Sequence, residues 1–221
     1  MKTLRTLSIA VGSALALIAG TAAWASTITS GFTYTVADAY IGAPGVGTHF
    51  HSNTGGAFGN PAGLAEVGRL ITEEVRGLSE YNLTGLSSAL SAFVTFDVYQ
   101  LGGLFGQTNY AGPISVVAYG GNNTEDLSDF QAAATQVIGS FSTVGLDETD
   151  VISFDITSLF NTAITNNTAS LGIRLQMDPL ISPNVAIVFH DFRLTTDNQG
   201  TIPEPGTLAL TGLALIGLAA A

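Results

Sequence analysis

From Ser26 to Asp197 apolar and polar residues alternate with a period of two, in short runs broken by Gly, Asn and Pro. Ala89 to Tyr99 shows the pattern best. Leu90, Ala92, Val94, Phe96 and Val98 fall on one face, and Ser91, Phe93, Thr95, Asp97 and Tyr99 on the other. Leu171 to Met177 repeats it, with Leu171, Ile173, Leu175 and Met177 inward and Arg174 and Gln176 outward. Asn184 to Leu194 reads as a long closing strand, with Val185, Ile187 and Phe189 on one face and Val188 on the other. In Asp150 to Asp155, Ile152 and Phe154 oppose Val151, Ser153 and Asp155. Phe32 to Val36, Glu73 to Leu83, Ile114 to Tyr119 and Gln136 to Thr143 supply further strands, with a turn at Thr84-Gly85 and a loop from Leu101 to Pro113. The period lengthens only at Leu127 to Ala134, a helical turn, and at Thr157 to Ile164, a short helix capped by Thr157 and packed through Leu159, Phe160 and Ile164. The glycine-rich stretch Gly42 to Gly63 wraps a sheet edge or carries a short strand at Thr48 to Ser52. These elements predict an all-β fold, an antiparallel β-sandwich with Leu90 to Val98 and Leu171 to Met177 facing its core.

Both ends of the chain break the alternation. Lys2 and Arg5 precede an apolar run from Thr6 to Ala23, and Ala23-Trp24-Ala25 before Ser26 fits the small-residue rule of signal-peptide cleavage. Residues 1–25 are therefore expected to be a cleaved export signal. Residues 26–197 form the β domain, 198–202 a polar linker and 203–221 a separate tail. In that tail Pro203-Glu204-Pro205 fits neither helix interior nor central strand, because proline lacks an N–H and fixes φ. No charge follows Gly206, so Thr207 to Ala221 reads as an apolar helix, short for a bilayer that takes about 20 residues to span.

Pro203-Glu204-Pro205 followed by Gly206-Thr207-Leu208-Ala209-Leu210 resembles the PEP-CTERM sorting signal of exported Gram-negative proteins. The resemblance implies recognition by a membrane protease of the exosortase class and removal of the apolar helix. It also implies passage through the inner membrane and arrival at the cell surface or in the medium. The family's basic cluster beyond the helix has no counterpart before Ala221. That departure removes the positive-inside anchor and fits either a shortened sequence or less efficient sorting.

A second resemblance covers Arg76 to Met177. Arg76-Gly77-Leu78-Ser79-Glu80-Tyr81-Asn82-Leu83, then Thr95-Phe96-Asp97-Val98, then Val151-Ile152-Ser153-Phe154-Asp155-Ile156-Thr157 are similar in order to strands of extracellular jelly-roll modules related to carbohydrate-binding domains, including the DNRLRE type. It implies a jelly-roll form of the sandwich and a structural calcium, and is silent on ligand.

Charge narrows the partners. Beyond residue 25 only Arg69, Arg76, Arg174 and Arg193 are cationic, against all 17 acids of the chain, a net of −13. Such a surface repels nucleic acid and anionic lipid. No cysteine is present, so neither disulfides nor thiolate metal ligands contribute.

The chain contains no G-x-S-x-G elbow, H-E-x-x-H pair or phosphate-binding glycine loop. His49 and His51 share a strand face, and His190-Asp191 could add ligands to the same metal. Hard oxygens for calcium are offered by Asn122, Glu125, Asp126 and Asp129 in one loop and by Asp147 and Asp150 in another. Tyr81, Tyr99 and Tyr119 are candidate sugar platforms, the only Trp lying in the signal segment. Glu73 and Glu74 point to opposite faces and make no catalytic pair, whereas Glu80 and Asp97 could meet across neighbouring strands. The sequence thus predicts a non-catalytic exported surface or matrix protein associated with exopolysaccharide. A carbohydrate-binding module acting alone is the alternative, and a hydrolase without a recognisable motif the third reading.

Overall fold

The computed structural model describes residues 26–38, 49–51 (backbone alone), 62–178 and 183–198. The expected signal segment, the tail with Pro203, Glu204 and Pro205, and most of the 42–63 loop lie outside these residues. Among the described residues no helix is long and apolar enough to cross a membrane.

The described chain is antiparallel β almost throughout. The strands are β1 (Ser26–Ser30), β2 (Phe32–Asp38), β3 (His49–His51), β4 (Ala65–Leu70), β5 (Glu73–Asn82), β6 (Ala89–Leu101), β7 (Thr108–Asn109), β8 (Pro113–Gly121), β9 (Ala134–Ser142), β10 (Val151–Asp155), β11 (Ser170–Met177) and β12 (Val185–Asn198). One α-helix, α1 (Thr157–Thr165), and a 3₁₀ turn (Leu127–Phe130) complete the described set. The hydrogen-bonded path runs β10-β6-β12-β4-β5-β11-β8-β9, with β1 and β7 added to β12, and β2 carrying β3 and added to β5. Among the described strand pairs only β7–β12 is parallel.

The two ends of this path face each other. Phe141 of β9 and Phe154 of β10 lie 6.2 Å apart between ring centres, and Gly139 leaves room for the Phe154 ring. A single, nearly closed sheet thus stands where the alternation suggested two. The bridge is the β4–β5 hairpin, paired through Gly68–Val75, Arg69–Glu74 and Leu70–Glu73. Alternation had not marked β4, in which Glu66 sits buried among apolar neighbours.

The main core lies inside the curl. Phe96 is its centre, stacked on Phe192 at 4.7 Å and edge-on to Phe189 at 5.4 Å, with Phe141 at 5.8 Å. Ala92, Val94, Phe96 and Val98 face inward as expected. Leu90 does not and is 55% exposed. The β6–β12 register slips between Asp197–Ser91 and Asn198–Ala89, so Ala89 takes the inward place.

Thr157 is the first helical residue of α1 and not its cap, since the N-cap is Ile156. Its hydroxyl accepts from the Ala92 N–H at 2.9 Å and donates to Asp155 Oδ1 at 2.6 Å. Asn161 adds a two-point bond to the Ala89 backbone, at 2.8 and 2.9 Å, so α1 closes the start of β6 with side chains.

β12 bonds β4 through Val185–Phe189 and β1 through Arg193–Asp197. Between the two a bulge intervenes: His190 faces Asp97, but Arg193 already faces Thr95. The inserted residue reverses the pleat. Ile187 and Phe189 point inward before it, and Phe192 and Leu194 after it. Opposite the bulge the chain crosses from β1 to β2 at Gly31, whose N–H bonds Phe192 O at 3.0 Å. A Cβ at Gly31 would sit 2.0 Å from Ser79 Oγ and 3.0 Å from the Tyr81 ring, so any other residue would have to displace these side chains.

Phe96→Ala should remove stacking on three sides and leave a cavity that the closed sheet cannot fill. We expect a loss of about 3–5 kcal/mol in urea unfolding of the full chain; a loss below about 1 kcal/mol would mean that Phe96 is not the centre of the core.

Candidate functional site

The outward face of β2, β5, β11 and β8 carries polar residues where a solvated surface would be expected, yet it is buried. Register places Phe32, Glu80, Gly172 and Tyr119 in one cross-strand row, and Tyr34, Leu78, Arg174 and Val117 in the next. Gly172 matters to the first row, because a Cβ there would lie 2.2 Å from the Tyr119 ring that crosses it. The segment 122–133 between β8 and β9 folds over this face. Phe130, Leu127 and Ala132 pack on Tyr34, Val36, Leu78 and Tyr119 as a second, smaller apolar cluster.

Four side chains hold that cover. Glu80 Oε2 accepts from the N–H groups of Asn122 (3.0 Å) and Asn123 (2.8 Å) and from Ser170 Oγ (2.8 Å). Its Oε1 is buried without a hydrogen-bond partner among the described residues. The Tyr34 hydroxyl donates to Asp129 Oδ2 at 2.7 Å and lies 3.1 Å from the Tyr119 hydroxyl. Arg174 Nη1 donates to the carbonyls of Asp129 (2.8 Å) and Ala132 (3.0 Å). Arg76 donates to Phe130 O at 2.5 Å and to Glu74 at 2.6 Å, with its guanidinium 4.1 Å from the Phe130 ring centre.

Burial sets the electrostatics. It pushes the Asp129 carboxyl up to about 6 against the pull of Tyr34, with the charges of Glu80 and Asp126 adding to the rise. Burial also raises the Tyr34 and Tyr119 phenols far above their ordinary value, so both stay protonated donors. Arg174 is lowered to about 10, by desolvation first and then by Arg76, and remains cationic at neutral pH. These groups bind the protein's own backbone. The arrangement clasps the 122–133 segment onto the sheet.

No known protein family matches this chain, and no curated protein matches it.

The residues offered for calcium are engaged locally. Asn122 Oδ1 accepts from Thr124 N at 2.7 Å. Asp126 and Asp129 form the capping box of the 3₁₀ turn, Asp126 Oδ1 accepting from Ser128 N at 2.8 Å. Glu125 is half-buried on the same segment. Asp150 Oδ2 accepts from Asp147 N at 2.9 Å in the β9–β10 connection, at the far end of β9 from residues 122–133. The two loops are not brought together.

The expected aromatic platform is not formed. Tyr81 is buried in the main core and Tyr119 under the 122–133 segment, so neither offers a ring face to a sugar. Tyr99 is half-buried and packs edge-on to His190, 5.1 Å between centroids. Glu80 and Asp97 do not meet either. Glu80 lies between β2 and β11, whereas Asp97 lies between β10 and β12. Alternation gives the face of each residue but not which strands are neighbours. For His49 and His51 the backbone alone is described, paired with β2 at Ala37 and Thr35. The clasping role of Arg174 had a trace in the sequence: it is one of four cations beyond residue 25, set in the middle of an apolar strand.

Asp129 binds its proton more tightly folded than unfolded, so its contribution is full at low pH and lost as pH rises from about 3.8 through about 6. Asn mimics the protonated form. Relative to wild type, Asp129→Asn should therefore gain on the order of 1–3 kcal/mol between pH 4 and pH 7 in urea unfolding. Taking the difference removes the contribution of Glu66, also raised to about 6 by burial. A difference that does not change with pH would mean that Asp129 titrates alike in both states.

Proposed function

We propose that this is an exported, non-catalytic surface or extracellular-matrix protein carrying a PEP-CTERM sorting signal. In this reading residues 1–25 direct passage through the inner membrane and are removed. An exosortase-type membrane protease then recognises Pro203-Glu204-Pro205 while the apolar run from Thr207 holds the chain at the bilayer. The β domain is delivered to the cell surface or medium, in association with exopolysaccharide and biofilm matrix. The observation that carries the reading is the pairing of the Pro-Glu-Pro tripeptide and its uncharged apolar run with an N-terminal export pattern.

The body supports the reading in two ways. Its last strand ends at Asn198, close before the tripeptide, so a polar linker separates a folded sheet from the processing site. The buried carboxylates Glu80, Asp129 and Glu66 accept hydrogen bonds from their own chain, Glu66 from Leu104 N at 2.9 Å, which is the behaviour of a scaffold. We read the curled antiparallel sheet as a jelly-roll type of sandwich, in keeping with extracellular modules.

Replacing Pro203 and Pro205 by Ala would let the apolar helix grow back through Glu204 and hide its peptide groups in helix hydrogen bonds. The variant should stay membrane-bound and full length at its C-terminus, while the native chain is shortened near Pro205. Mass spectrometry of the exported protein from sorting-competent cells reads both outcomes. Residues 208–221 still attached to the exported native protein would overturn the proposal.

A further inference from the structure

We propose that the bulge of β12 builds a binding site for a divalent transition-metal cation of the zinc type, with Asp97, His190 and Asp191 as ligands. One ligand atom from each of the three lies within 4.8 Å of those of the other two. The bulge is the reason. His190 and Asp97 are direct cross-strand partners on the outward face of β12 and β6. On a regular strand residue 191 would point the opposite way. Here the extra residue takes a left-handed backbone, φ 51°, and its carboxylate joins the histidine. The same bulge separates β4 from β1 along β12. The gap between them is a cleft of roughly 360 Å³, lined by Ser30, Gly31, Gly63, His190, Asp191 and Arg193.

Distances favour a cation over a hydrogen bond. His190 Nδ1 and Asp191 Oδ2 are 3.7 Å apart, beyond hydrogen-bond reach. Two ligands each about 2.0–2.1 Å from a tetrahedral zinc stand roughly 3.3–3.4 Å apart, so the pair needs to close only slightly. Among the described residues neither side chain makes a hydrogen bond that would have to be broken. Two partners already hold the set. Arg193 Nη2 takes Asp97 Oδ1 at 2.5 Å, which fixes that carboxylate and leaves its second oxygen for the metal. The Tyr99 ring stands edge-on to the imidazole. Outer partners of this kind orient metal ligands.

The donor set selects the ion. One imidazole nitrogen with two carboxylates suits zinc and its neighbours, whereas calcium asks for six to eight oxygens. With Arg193 included, the charge of the site is −1 before the cation enters. The cleft beside it leaves space for water as a further ligand.

The test uses the full chain and metal ions alone, and does not depend on tail processing. Equilibrium dialysis should find one Zn²⁺ per chain, and zinc should raise the melting temperature while calcium at the same concentration does not. His190→Ala should weaken zinc binding about tenfold or more. Asp191→Asn should do the same while its metal-free melting temperature stays near wild type, because Asn tolerates the left-handed backbone. Replacing both His49 and His51 by Ala should leave zinc binding unchanged. The proposal fails if the wild type takes up no zinc, if the His190 and Asp191 variants bind as the wild type does, or if binding is lost with His49 and His51 instead.

Discussion

A strand of fourteen residues can keep its apolar side chains in one core only if its pleat stays in phase with the sheet, and β12 stays in phase by losing one residue to a bulge. Much else depends on that slip. It turns Phe192 and Leu194 inward to meet Phe96 and Val94. It lets β12 change neighbours from β4 to β1, and so lets the chain cross at Gly31 into β2 on the other half of the sheet. It also brings His190 and Asp191 to Asp97.

A second constraint is set by buried charge. The sheet is apolar on its inner face, but β2, β5, β11 and β8 are covered on the outer face too, and the cover is a loop whose backbone groups must be satisfied. Glu80 meets two N–H groups of that loop, and Arg174 and Arg76 meet three of its carbonyls. Burying these charges costs free energy that apolar residues would not cost, and what it gives is a single geometry for residues 122–133. The raised carboxyl of Asp129 is the residue of that conflict, a group held where water is scarce because its phenol partner is there.

In the proposed reading, address and fold lie on separate stretches of this chain. The proposed address resides in the ends, in the proline pair, the sparse charge and the apolar runs of the sequence. The β domain between them is acidic and free of cysteine, and its buried Glu80 accepts from backbone N–H groups of its own 122–133 segment through Oε2.

The period-two alternation by itself determined that the body is antiparallel β and where most strands run, because side-chain direction on a pleated strand is a local property, and its lapse at Thr157 to Ile164 marked the helix observed at Thr157–Thr165. The proline pair and the apolar tail were equally local. Strand neighbours were not, and so Glu80 and Asp97, plausible as a pair by face, belong to different strand sets. The burial of Tyr119 and Arg174 was decided by a loop folding back from beyond residue 121, which no pattern within β8 or β11 could report. Leu90 went outward because a register slip at the end of β12 moved Ala89 inward. The bulge stood between the two cases. The change from inward 187 and 189 to inward 192 and 194 is visible as a phase shift in the apolar residues, but only the paired strand fixes the inserted residue at 191 and turns its carboxylate toward Asp97, since that depends on a hydrogen-bonding partner almost a hundred residues away.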